Sequence, residues 1–111
     1  MTTLTYANSG AYSNVPGILL AEKIASHAPG DLHRTFFCGG GSEAVEIALK
    51  MARQYHYITG NPMKSKVIWR RGQYHGSSKG PMSVSTSGTM GDGMFSTMTQ
   101  GGVSIDPPYC F

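Results

Sequence analysis

Cysteine is scarce in this chain of 111 residues: Cys38 and Cys110 are the two, and neither makes a metal-ligand spacing with the four histidines. No metal site is therefore expected. Net charge is small as well. The formal net charge is +3, and the nearest approach to a basic patch is Lys64, Lys66, Arg70 and Arg71. These fall on a loop and a strand end, where a solvated edge accounts for them, so no nucleic-acid partner is expected. No apolar run is long enough to cross a bilayer, which removes a membrane partner from the reading. Met1-Thr2-Thr3 opens nothing like a signal peptide, and a reducing, cytoplasmic setting is the expectation. A Gly-Lys-Ser/Thr triplet is absent, which excludes a Walker A loop. Large apolar residues thin out between Pro81 and Ser104, where Asp92 is the sole charge and no element can be assigned beyond a short helix after Gly76.

What the chain does carry is concentrated between Phe36 and Ala48, FFCGGGSEAVEIA. Leu32 to Cys38 reads as a buried strand, with Phe36 and Phe37 filling its two faces and Cys38 a small core residue. Gly39, Gly40 and Gly41 permit turn geometries closed to other residues and bring backbone N–H groups close to a ligand. Ser42 is a candidate cap for the helix that follows. First-turn amides lack internal partners and sit at the positive end of the macrodipole. Strand, glycine turn and helix start thus form a phosphate-type site, or else a tight turn with no ligand. Glu43 and Glu46 suit the dipole but would repel an anion if aimed at it.

Upstream, Asn14 is placed to cap a helix with Pro16 in its first turn. Ile18, Ala21, Ile24, Ala25 and Ala28 recur at helical spacing, and Pro29-Gly30 ends the run. His27 and His33 read as surface residues. Downstream, a helix from about Ser42 to Thr59 closes at Gly60. Ala44, Ala48 and Ala52 form a strip able to pack closely on a sheet, bordered by Val45, Leu49 and His56, and Glu46 and Lys50 are spaced for an i,i+4 pair. Lys66 to Arg70 is the next strand. Two strands bridged by a helix make a βαβ unit with parallel strands and a right-handed crossover. Tyr74-His75-Gly76 then falls at the carboxyl end of that strand, the edge along which open α/β sheets bind ligands. Tyr74 can stack on a planar ring and His75 flank it, or the pair can simply pack on neighbouring loops.

With both turns in view, the sequence resembles the class III aminotransferases, pyridoxal-phosphate enzymes of the aspartate-aminotransferase fold (fold type I). The likeness rests on LAEKIASHAPGDLHRTFFCGGGSEAVEIALKMARQYH, KVIWRRGQYHGSSKG and, more loosely, the terminal DPPYCF. It implies an α/β fold, here an incomplete part of the large domain. Residues 1–14 are a leading loop, 15–80 the cofactor region, and 81–111 an irregular tail that looks cut off. It implies pyridoxal 5′-phosphate as cofactor, with Gly41 and Ser42 holding the phosphate, Tyr74 stacking on the pyridine ring, and His75 following it. Amino transfer between an amine or amino acid and a keto acid is the implied reaction, in a homodimeric full-length parent. Family members often carry Asn-Ser where Gly39-Gly40 stand here, which removes side-chain donors. The Schiff-base lysine of the family lies far downstream, and Lys23, Lys50, Lys64, Lys66 and Lys79 all fall outside its context. No catalytic residue is therefore expected in this chain, which should do only the holding. Two other readings compete: an NADP-binding Rossmann half-domain, and a non-catalytic interaction domain derived from a transaminase. The first rests on Gly39-x-Gly41-x-x-Ala44 with Arg70 and Arg71 at the next strand's end.

Overall fold

The computed structural model describes residues 13–85 and 102–109. Most of the leading segment, Cys110 and much of the expected tail lie outside the described residues. The chain divides into two compact units, Met1–Phe37 and Cys38–Phe111.

In the first unit, α1 spans Val15–His27. Asn14 sits in extended backbone and its side-chain oxygen accepts the Gly17 N–H at 2.8 Å. Pro16 occupies the first turn, where its missing N–H is no loss. The expected helix and its cap are both present, yet no α1 residue is buried. Ile18 and Ala21 line a 340 Å³ cavity with Thr35, Phe36 and Phe37. Because packing contributes so little here, the cap matters more than usual. Asn14→Ala is expected to cost the helix about 1 kcal/mol and Asn14→Ser a few tenths at most. Circular dichroism at 222 nm during thermal melting separates the two.

Leu32 to Cys38 does not form a strand. The segment has no ladder partner among the described residues, and Phe36 and Phe37 are 67% and 49% exposed. A β-strand exists through the neighbours that bond to it, and an apolar sequence cannot supply them. Cys38 is correspondingly an exposed free thiol, not a core residue.

The second unit opens with α2, Gly41–Ile58. It closes as expected at Gly60, whose φ is +82°. The Gly60 N–H donates to the Tyr57 carbonyl at 3.3 Å and the Asn61 N–H to His56 at 2.8 Å, a Schellman closure. The strand β1, Val67–Arg70, pairs in parallel with β2, Gly102–Ile105, in the register Val67 to Gly102. Between them lies α3, Lys79–Met82, the short helix expected after Gly76. The α/β class with parallel strands therefore holds, while the membership of the pair differs from expectation. The partner of β1 is β2, not Leu32–Cys38. Gly102 is essential to this pairing: a Cβ there would run into the Ser83 carbonyl oxygen and come within 2.7 Å of Trp69 Nε1.

Burial in this unit collects where the sequence is least apolar. Pro81, Val84 and Ser85 are buried. Ala44, Ala48 and Ala52 are exposed. Val45 and Leu49 instead line a 320 Å³ cavity with the β1 residues Val67–Arg70, so the bordering residues, not the alanine strip, look towards the sheet.

Candidate functional site

Gly40, in fully extended backbone, is the N-cap of α2 and offers no capping side chain. The Ala44 N–H reaches the Gly40 carbonyl at 3.0 Å and starts the helical ladder. The N–H groups of Gly41, Ser42 and Glu43 are left without an acceptor among the described residues. Ser42 is not the cap. It lies inside the first turn, because the glycine run lets the backbone enter the helix at Gly41. Its Oγ accepts the Ser77 N–H at 3.1 Å instead.

That bond brings the Tyr74-His75-Gly76 turn to the start of α2. Gly76 is buried, with φ +130°, and a Cβ on it would stand 2.8 Å from Ser42 Oγ and 2.9 Å from the Pro81 Cβ. The two backbones can approach this closely only through glycine. The His75 N–H donates to Ser85 Oγ at 2.8 Å, which fixes the other side of the turn. The result is a cavity of about 430 Å³ lined by Gly41, Ser42, Val45, Tyr74, His75 and Gly76. All four residues expected to form a site are in its wall. Tyr74 is 62% exposed, His75 is exposed too, and a Cβ at Gly41 would meet no atom within 4 Å.

No Asp, Glu, Lys or Arg side chain lines the cavity, so the helix start alone carries its preference for an anion. Neither Glu43 nor Glu46 lines the cavity. The Glu46 carboxylate turns to Gly80 N–H and Ser78 Oγ, at 2.8 and 3.1 Å, and the expected pair with Lys50 is not formed. Arg71 bonds to Asp106 at 3.2 Å, and neither it nor Arg70 reaches the cavity wall. A larger cavity of about 520 Å³ runs along the α2 face from Glu46 to Tyr57. Its walls are side chains of a single helix, with no first-turn amides and no convergent turn. Size alone does not make it the better site.

Comparison with known proteins decides the family. Residues 1–109 match the family model described as aminotransferase class III. The chain belongs to the class III aminotransferases. It is similar to a probable aminotransferase of Mycobacterium tuberculosis, with 45% identity over 93% of this chain and 22% of that protein. Among solved structures it is similar to the adenosylmethionine-8-amino-7-oxononanoate aminotransferase of Methanocaldococcus jannaschii. There the TM-score is 0.83 with 37% identity, over 93% of this chain and 23% of that one. An amine transaminase from an uncultivated Pseudomonas species, solved in a PLP-bound form, gives a TM-score of 0.80 and 31% identity. It is covered over 23% of its length, by 94% of this chain. This aminotransferase chain thus spans about a fifth of the length of the curated relatives it matches.

The cofactor of class III aminotransferases is pyridoxal 5′-phosphate. The residues of this chain fit it. Unpaired first-turn amides suit a phosphate, the Gly41 flank is open, and an exposed aromatic ring shares the same wall. The four residues expected from the sequence share one cavity wall, and sequence reasoning missed the bonds from Ser77, Ser85 and Glu46 that hold the turn in place. Only the i,i+4 spacing of Ser42 and Glu46 on one helix face hinted at a shared task.

Proposed function

We propose that this chain supplies the phosphate-holding and ring-stacking part of a pyridoxal phosphate site, residues 15–80, in an aminotransferase. The whole enzyme would move an amino group between an amine or amino acid and a keto acid, as a homodimer. The observation that carries the reading is the convergence of the α2 N-terminus and the Tyr74-His75 turn on one cavity.

When bound, pyridoxal phosphate supplies an electron sink for a substrate carbanion. The chain's own residues hold and orient. Gly41 and Ser42 N–H groups point partial positive charge at a phosphate. Ser42 Oγ accepts from Ser77 N–H, which leaves its own proton free to donate to a phosphate oxygen. Tyr74 offers a ring face and His75 a polar flank. None of the five lysines lines the cavity, and we assign none of them a covalent role.

Holding by these groups is weak. A helix-terminus contact contributes about 0.3–2 kcal/mol, and an aromatic stack about 0.5–1.5 kcal/mol. Equilibrium titration of the chain with pyridoxal phosphate and with pyridoxal is the test. The phosphate form is expected to bind measurably more tightly, and borohydride treatment to attach no cofactor to a lysine. Tyr74→Ala is expected to weaken binding roughly 2- to 10-fold. Equal affinity for pyridoxal, or stoichiometric capture at one lysine, would overturn the reading.

A further inference from the structure

The Glu46 carboxylate is the one acidic group of α2 that is committed to backbone elsewhere in the unit. Its Oε2 accepts the Gly80 N–H at 2.8 Å and the Ser78 hydroxyl at 3.1 Å, in partly buried surroundings. A Cβ at Gly80 would lie 2.6 Å from that same oxygen, so a side chain at residue 80 would displace the carboxylate from this position. One helical turn earlier on the same face, Ser42 Oγ accepts the Ser77 N–H at 3.1 Å. Two successive α2 side chains therefore hold the segment from Ser77 to Gly80, immediately after Tyr74-His75-Gly76.

We propose that Glu46 is a positioning residue for the cofactor site. Its carboxylate sets the placement of the Tyr74-His75 turn relative to the Gly41 and Ser42 amides. The proposal rests on the cofactor reading above. The carboxylate satisfies an N–H and an O–H that would otherwise let the turn swing, and charge-assisted bonds of this kind are the stronger ones. With Glu46 in place, the phosphate-holding amides and the stacking ring act on one ligand together. Without it the amides remain on their helix and the ring becomes an independent, looser contact.

Hydrogen exchange read by mass spectrometry, on the whole chain at low micromolar concentration, tests this. The probes are pyridoxal 5′-phosphate and inorganic phosphate, and the variants are Glu46→Ala and Glu46→Gln. Before ligand is added, Glu46→Ala is expected to speed exchange in the segment from Ser77 to Met82, with the start of α2 unchanged. In the native chain pyridoxal phosphate should protect both the α2 start and the Tyr74 turn, and phosphate only the α2 start. In Glu46→Ala, pyridoxal phosphate should protect only the α2 start, with half-saturation raised roughly 2- to 10-fold, as on loss of the Tyr74 ring itself, while the response to phosphate is kept. Glu46→Gln keeps an acceptor oxygen and should restore joint protection within about threefold. Joint protection at native affinity in Glu46→Ala would overturn the proposal. So would loss of the phosphate response, no rescue by Glu46→Gln, or unfolding of both variants, each of which marks a purely structural clamp. Failure of the native chain to respond to pyridoxal phosphate, with the ligand-free difference at Ser77–Met82 intact, would instead sink the cofactor reading and take the proposal with it.

Discussion

Gly76→Ala is expected to abolish cooperative folding of the second unit and with it all cofactor binding. Gly76 has a φ of +130°, which an L side chain rarely adopts. That conformation alone costs on the order of 1–3 kcal/mol for a non-glycine residue. The added methyl would also come within 2.8–3.0 Å of Ser42 Oγ, the Pro81 Cβ and the Ser42 Cα. Two of those three are backbone or ring atoms that cannot swing aside, and overpacking of this kind costs about 1–3 kcal/mol more. Relieving the clash means parting the α2 start from the Tyr74 turn, the two walls of the proposed site. Gly39→Ala is the matched control, since its Cβ would meet nothing within 4 Å and its φ is not positive. That change is expected to shift stability by no more than about 0.5 kcal/mol. Urea unfolding followed by Trp69 fluorescence measures both, and equal stabilities would contradict the close packing described.

The chain by itself is expected to self-associate as its concentration rises. Phe36 is 67% exposed, Ile68 68% and Ile105 48%. The sheet has two strands, so each carries an edge without a ladder partner among the described residues. Parallel sheets are stable when both faces are covered, and unpaired edges beside apolar side chains recruit other chains. Light scattering should therefore show apparent mass climbing with concentration. Ile68→Lys, on the exposed side of β1, should reduce the effect, because a charge on a strand edge opposes pairing. A monodisperse monomer with a sharp melt well above room temperature would contradict this expectation and mark the chain as self-sufficient.

Legibility in the sequence followed how local each signal was. Both long helices were readable because cap, periodicity and stop all lie within the helix or next to it: Asn14 and Pro16 for α1, Gly60 for α2. That Gly41, Ser42, Tyr74 and His75 come to one cavity was readable because two turns each carry a local pattern, and a strand between them sets their common edge. Leu32–Cys38 misled because an apolar run signals a strand without naming its partner. β2 was missed for the opposite reason: Gly102–Ile105 is four residues long, and its pairing is set by β1 across more than thirty positions. The Glu46 bonds were hidden by a local alternative, the spacing to Lys50, which loses to a partly buried backbone N–H. Burial at Ser85 has no compositional signal at all. It follows from the bond its hydroxyl accepts from the His75 N–H.

The most direct measurement is a ¹H–¹⁵N and aromatic NMR titration of the chain with pyridoxal 5′-phosphate, at a concentration low enough to limit association. Saturable shifts at the Gly41 and Ser42 amides and at the Tyr74 ring, with one common midpoint, are the expected result. Shifts at the amides with the Tyr74 ring unmoved, or at neither, would show that the α2 start and the Tyr74 turn do not form one cofactor cleft.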